Sequence, residues 1–337
     1  YLWRRTVYEG EPKIQRHPKS SHASSTAATD GERVAALFGS EGLYVYDLDG
    51  ELLWKKDLGV LHAGSYRTAD AQWGYGSSPV FHGGMLVIQA DLFKGGFVVV
   101  FDAATGREIW RAERDDHPTW STPTVYSRGS RDLVVVNGYK HKAAYELASG
   151  QEVWRMSGGG DIPVPTPVVA HDLVFLTSAH GGSSPVYAIK TDARGDISLE
   201  GDATSNAGVA WSVPRGGSYM QTPIVVGDEL YVCRDNGVLS CYDARSGKRH
   251  YQERLASSEG FTASPVSAGD EIYFTGETGR THVIKAGTSF ERLAINELGE
   301  SVMATPAIVG DTIYIRGRHH VVAIQKTVQD STIPGTR

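Results

Sequence analysis

A small or hydroxyl residue followed by proline recurs along this chain. The copies are Ser78-Pro79, Thr122-Pro123, Thr166-Pro167, Thr222-Pro223, Ser264-Pro265 and Thr305-Pro306, and Thr26-Ala27 fits as a seventh that has lost its proline. Successive copies lie 41 to 56 residues apart. Self-similarity at such a period points to a repeat architecture and excludes most single-core folds.

Each copy opens the same series of landmarks. Four residues after the proline position comes a turn residue: Gly31, Gly83, His171, Gly227, Gly269 or Gly310. The third repeat has a longer turn, near residues 128–131. An apolar strand follows, such as Leu230-Tyr231-Val232 or Ile313-Tyr314-Ile315. A further apolar strand comes next, at 43–46, 98–101, 186–189, 239–242 and 321–324. The unit then closes with a turn and an aromatic strand. Asp102-x-x-Thr105-Gly106-x-x-x-Trp110 and Glu146-x-x-Ser149-Gly150-x-x-x-Trp154 match in full, and Asp243-x-x-Ser246-Gly247-x-x-x-Tyr251 carries Tyr for Trp.

Four short strands per unit predict propeller blades. No long 3.6-residue periodicity supports a helical solenoid. The expected fold is all-β, a seven-bladed β-propeller of four-stranded antiparallel blades spanning 1–326, with a polar tail at 327–337. The last repeat lacks a fourth strand, and Tyr1-Leu2-Trp3-Arg4-Arg5 reads as an orphan one. Joining the two predicts a ring closed by the N-terminal strand in the last blade, with Trp3 buried between the last blade and the first. Closure of that kind removes a sheet edge.

The repeated residues have structural readings. Proline falls early in the innermost strand, whose free side needs no ladder partner. Ser and Thr are small enough for the crowded axis. The outer aromatic wedges between blades.

Composition narrows the partners. Net charge is −6, with 40% hydrophobic and 21% charged residues. No long basic stripe occurs, and Lys140-His141-Lys142 and the 316–320 cluster read as solvated turns, so nucleic acid and anionic membrane surfaces are excluded. No apolar run is long enough for a membrane span, and no signal peptide is seen. Cys233 and Cys241 read as core thiols rather than a disulfide or metal knuckle. A monomer is expected.

In a propeller, the loops entering the innermost strands share one face with those between the second and third strands. The first set carries His22, Trp73, Tyr75, His117, Trp120, Asp161, Tyr219, Gln221, Phe261 and Met303. The second carries Lys94, Tyr139, His180, Arg234, Glu277 and Arg318. Aromatic groups with a few polar ones are what a small ligand or extended chain needs. The candidate mouth residues are therefore His22, Trp73, Tyr75, Trp120, Asp161, Tyr219, Gln221, Phe261, Met303 and Arg234. Packing competes as the role of the aromatics, and capping the turn after Gly158-Gly159-Gly160 is the favoured role of Asp161. No G-x-S-x-G, H-E-x-x-H or EF-hand pattern occurs, so no catalytic residue and no metal ligand is assigned.

The Asp-x-x-Thr-Gly-x-x-x-Trp pattern with its Thr-Pro landmark resembles the pyrroloquinoline-quinone (PQQ)-type propeller repeat. That repeat occurs in quinoprotein alcohol dehydrogenases and in the lipoprotein of the outer-membrane β-barrel assembly machinery. The chain is most similar to bacterial PQQ-like propellers of unassigned function. Segments carrying this likeness include Trp73-Gly74-Tyr75-Gly76-Ser77-Ser78-Pro79, 158–167 and Val232-Cys233-Arg234-Asp235-Asn236-Gly237. The dehydrogenases have eight blades, a disulfide between adjacent cysteines and a calcium or lanthanide site. This chain has seven repeats, no Cys-Cys pair and no segment matching that metal site. The resemblance implies the fold and a periplasmic or extracellular setting, and PQQ with calcium only by family likeness.

Three functions are carried forward. The first is a non-catalytic propeller binding a small molecule, glycan or protein segment at the mouth. The second is a PQQ-dependent oxidoreductase. The third is a cell-envelope assembly factor gripping a protein partner through loops such as 93–96 and 192–206.

Overall fold

Short alternating strands separated by Gly-bearing turns leave each hairpin free to pair only with its sequence neighbours. In the computed structural model, which describes residues 2–67 and 71–325, they form seven antiparallel sheets in chain order. The first blade is typical: Ala28–Thr29, Arg33–Leu37, Leu43–Asp47 and Leu52–Lys56, each strand paired with the next. A register shift recurs between the third and fourth strands of the first six blades, as at Val45/Tyr46 and Val100/Phe101. Such bulges increase local twist. The expected seven-bladed, all-β propeller is what the chain forms.

The Ser/Thr of the Ser/Thr-Pro landmark has a more specific role than small size. The backbone N–H of Thr26 donates to Ser78 Oγ at 2.9 Å, and that of Ser78 to Thr122 Oγ1 at 3.0 Å. Thr166 donates to Thr222 Oγ1, Thr222 to Ser264 Oγ, and Ser264 to Thr305 Oγ1, at 2.9–3.1 Å. Each hydroxyl thus accepts from the preceding blade and ties neighbours together around the axis. Thr222→Val should leave the Thr166 N–H unpaired and cost about 1 kcal/mol in chemical denaturation. Thr222→Ser should restore wild-type stability.

The outer strand locks blades by a second device. Trp54 lies against Gly106 of the next blade, Trp110 against Gly150 and Trp211 against Gly247. Each indole N–H donates to a carbonyl of that turn: Ala103, Leu147 and Ala244, at 2.7–3.0 Å. Gly106 sits at φ 69°, and a Cβ there would lie 2.6 Å from the Trp54 ring. Glycine is therefore required twice, for the left-handed turn and for the approach of the ring. Five buried apolar clusters fill the interfaces from the first blade to the sixth.

The seventh blade departs from the expected closure. Its strands are Ala307–Val309, Thr312–Arg316 and Val321–Gln325. Among the described residues, Val321–Gln325 pairs only with Thr312–Arg316, and residues 2–9 form no strand. Among the described residues the blade has no fourth-strand ladder, and Val309, Tyr314, Val321 and Ile324 are exposed. Trp3 docks on the first blade as the other outer aromatics dock on the blade after theirs, but it is not buried between the last blade and the first. Its ring packs on Gly50 and lies 5.7 Å from Tyr46, and its N–H donates to Leu48 O at 2.8 Å. Trp3 is nevertheless only half-buried. Arg5 holds the segment on the first blade through Gly50 O and Glu51. Tyr1 and the 327–337 tail lie outside the described residues.

The 192–206 loop is pinned to the neighbouring blade. Its Gly195–Asp196 strand pairs parallel with Glu152–Met156, the outermost strand of the third blade. It is a peripheral clamp between the third and fourth blades.

Candidate functional site at the channel mouth

An acidic residue six or seven positions before the inner-strand proline organises the mouth in four blades. Asp116 accepts backbone N–H bonds from His117, Tyr139, Lys140 and His141. Glu259 bonds His282 and Thr278, and Glu300 bonds the backbone of His319 and the ring of His320. Asp161 bonds His180 Nδ1 at 2.6 Å. Each acid thus fixes the loop between the second and third strands of its own blade. Each also packs on a glycine there, and a Cβ on Gly138, Gly181, Gly276 or Gly317 would collide with the carboxylate. The sequence carries this signal as an acid before Pro and a Gly just after the second strand, but it joins residues about twenty apart and was not read.

The Asp161 carboxylate bonds side chains rather than the expected Gly158-Gly159-Gly160 turn. It also accepts from Tyr66 Oη at 2.5 Å and Arg67 at 2.7 Å, both from the loop between the first and second blades. The acid is 4% exposed and Arg67 60%. Burial alone would raise the Asp161 carboxyl, but the bonds from Tyr66 and His180 and the charges of His180 and Arg67 outweigh it and hold the group below its ordinary range. Tyr66 stacks on His117 at 3.9 Å, and His117 on Tyr139 at 5.0 Å. Desolvation, then the Lys140 charge, lowers the His117 pKa. Trp73 lies 5.3 Å from Trp120, whose indole donates to Gly74 O at 2.7 Å.

Trp73, Trp120, Asp161, His180, Tyr66 and Arg67 line one cavity that leaves about 20 Å³, room for about one water. Tyr219 reaches its edge through His180, 6.0 Å away. His22 and Tyr75 meet at a second cavity of about 10 Å³. The remaining candidates do not line the cavity at Asp161. Tyr75 donates to Gln89 O, Gln221 donates to Phe261 O, and Phe261 is 1% exposed in the core between the fifth and sixth blades. Met303 is exposed and Arg234 half-buried, and neither lines these cavities. Tyr66 and Arg67 were not read from the sequence, because nothing local in the loop marks them as facing the mouth.

Behind the mouth lies an ionic core. Arg114 donates to Asp91 at 2.5 Å, to Asp116 at 3.3 Å, to Tyr145 Oη and to His141 O. Burial works against the Arg114 charge, but Asp91, Tyr145 and Asp116 more than offset it and push its pKa upward. Lys142 is fully buried, a correction to the solvated-turn reading, with its ammonium on Gly138 O and Gly158 O. Burial lowers its pKa to about 8, partly opposed by Asp116. A depressed folded value favours the fold above the unfolded pKa, and that contribution is lost as pH falls through the folded one. Wild type should therefore gain stability between pH 8 and about 10.4 relative to Lys142→Met. Paired thermal melts across that window check the sign.

The cysteines are buried and free. Cys241 lies opposite Tyr231 and Cys233 opposite Leu239 in the register, and desolvation pushes the Cys241 thiol up to about 12. The cavity at Asp161 is too small for a quinone–calcium group. The space is a water's, and the Asp161 oxygens are already engaged by three donors. Among the described residues, no helix is long and apolar enough to cross a membrane.

These features define a PQQ-type β-propeller with a filled mouth. The family model for outer membrane protein assembly factor BamB matches residues 1–249 and 94–331. The chain belongs to that family. It is 23% identical over 312 residues to BamB of Burkholderia pseudomallei, covering 90% of this chain and 74% of that protein. It is 21% identical over 266 residues to BamB of Shewanella oneidensis, covering 64% and 66%. The chain thus spans about two thirds of the Shewanella protein's length. The crystal structure of BamB from Moraxella catarrhalis superposes with TM-score 0.67 at 13% identity, covering 89% of this chain and 84% of that one. A europium-containing methanol dehydrogenase gives 0.63 at 14%, covering 86% and 72%. At such identities the superpositions speak for the fold alone.

Proposed function

We propose that this chain is a protein-interaction propeller acting in outer-membrane protein assembly in a bacterial envelope, with the loops around the channel mouth as its partner-facing surface. The observation that carries the reading is the filled mouth. Small-molecule sites are concave and occupy hundreds of Å³, whereas Trp73, Trp120, Tyr66 and Arg67 leave a water's worth of space. The family membership supports the same direction. Of the three functions carried forward, the assembly reading gains, and small-molecule or glycan binding in the mouth loses support.

Photo-crosslinking in cells tests it. A photoreactive residue at Met303, Arg234 or Lys94 should give discrete adducts with an envelope protein, and one at Leu293 on the outermost strand should not. Indistinguishable adducts from the two faces, or saturable thermal stabilisation by PQQ with calcium, would overturn the proposal.

A further inference from the structure

The ion pair at the mouth is lopsided. Asp161 is built in: it is 4% exposed, bonded to His180 and Tyr66, and packed on Gly181. Its cation is not. The Arg67 side chain is 60% exposed, with its guanidinium 5.2 Å from the Tyr66 ring. Beside the carboxylate stand Tyr66, Trp73 and Trp120, with His117 stacked behind the Tyr66 ring, and aromatic surfaces of this kind suit a planar cation.

We propose that the Asp161 pocket is a recognition site for an arginine side chain of an extended protein segment, and that Arg67 is its internal stand-in. This inference rests on the protein-interaction reading above and names the chemistry that the partner presents. Exchange of one guanidinium for another conserves the hydrogen bonds to Asp161. An ion pair whose cation is this exposed adds little stability of its own. The incoming group therefore competes chiefly with the effective concentration of the tethered Arg67, on the order of millimolar. A free arginine competes poorly against that, and a segment with further rim contacts competes well.

The test uses the full chain and N-acetyl-arginine amide as probe, followed by calorimetry and by Trp fluorescence from Trp73 and Trp120. Arg67→Ala should bind the probe at least tenfold more tightly than wild type does. The neutral isostere N-acetyl-citrulline amide should not bind. Arg67→Ala combined with Asp161→Asn should lose the arginine response. If the alanine variant melts low, Arg67→Gln repeats the comparison. Equal binding of arginine and citrulline, retention of binding in the double variant, or no saturable binding by either Arg67 variant would overturn the proposal. Probe binding without rim crosslinks would leave the site standing and refute the assembly reading. Rim crosslinks without probe binding would refute the site alone.

Discussion

Arg114→Met is expected to remove about 3–5 kcal/mol of stability, seen as a melting temperature lower by roughly 10 °C. The side chains of Arg114, Asp91 and Asp116 are 1%, 0% and 0% exposed, so no water replaces the lost partner. Asp116 retains its four backbone donors, and Asp91 retains Gln89 and Thr119, but the cation is gone. The pH dependence separates this from a simple packing defect. Burial already raises the Asp91 carboxyl above its ordinary value, against the pull of Arg114. A carboxyl raised in the fold favours the fold when protonated; its contribution is complete below the unfolded value of about 3.9 and is lost as pH rises through the folded one. Without Arg114 the folded value climbs further. The deficit of Arg114→Met relative to wild type should therefore be smaller at pH 5 than at pH 8. A deficit that is flat with pH would mean that the carboxylates are not what suffers.

Much of this architecture is legible in the sequence, because the repeat writes each interface at one spacing. Asp102-x-x-Thr105-Gly106 is a local turn in which Asp102 takes the N–H and hydroxyl of Thr105. The same Gly106 receives Trp54 from the blade before. One motif thus records both a turn and a docking surface, which is why counting motifs gives the blades. The site is less legible. Lys140 and Lys142 look alike in the sequence, yet Lys140 bonds exposed Asp115 at the surface while Lys142 enters the core. Their fates depend on where the 137–141 loop is pinned, and Asp116, two dozen residues earlier, pins it. Closure shows the same limit. Trp3 repeats the ring-on-glycine contact at Gly50, but among the described residues no strand pairs with the free side of Val321–Gln325.

Trp154 allows the largest single test of the interblade wedge. It is fully buried, and Trp154→Ala should cost about 3–5 kcal/mol. Trp154 also breaks the rule set by Trp54, Trp110 and Trp211. The fourth blade has no short Gly turn to receive it. In its place the 192–206 loop covers the ring, laying Gly195 beside Trp154 and Ala193, Ile197 and Leu199 into the same apolar cluster. Among the described residues its indole N–H makes no hydrogen bond of good geometry, and the only polar group it approaches is the Tyr126 hydroxyl. The two kinds of wedge should therefore respond differently to phenylalanine. Trp54→Phe gives up a bond to Ala103 O and should leave that carbonyl unpaired, at about 1–3 kcal/mol beyond the lost ring volume. Trp154→Phe gives up only the poorly aligned approach to the Tyr126 hydroxyl and removes a buried polar group, so its cost should be close to the ring volume alone. Urea denaturation of the two Phe variants, each against its Ala counterpart, reads the difference. If Trp154→Phe is as damaging as Trp54→Phe, the indole nitrogen of Trp154 is bonded after all, and the clamp replaces the Gly turn in its polar role as well as its apolar one.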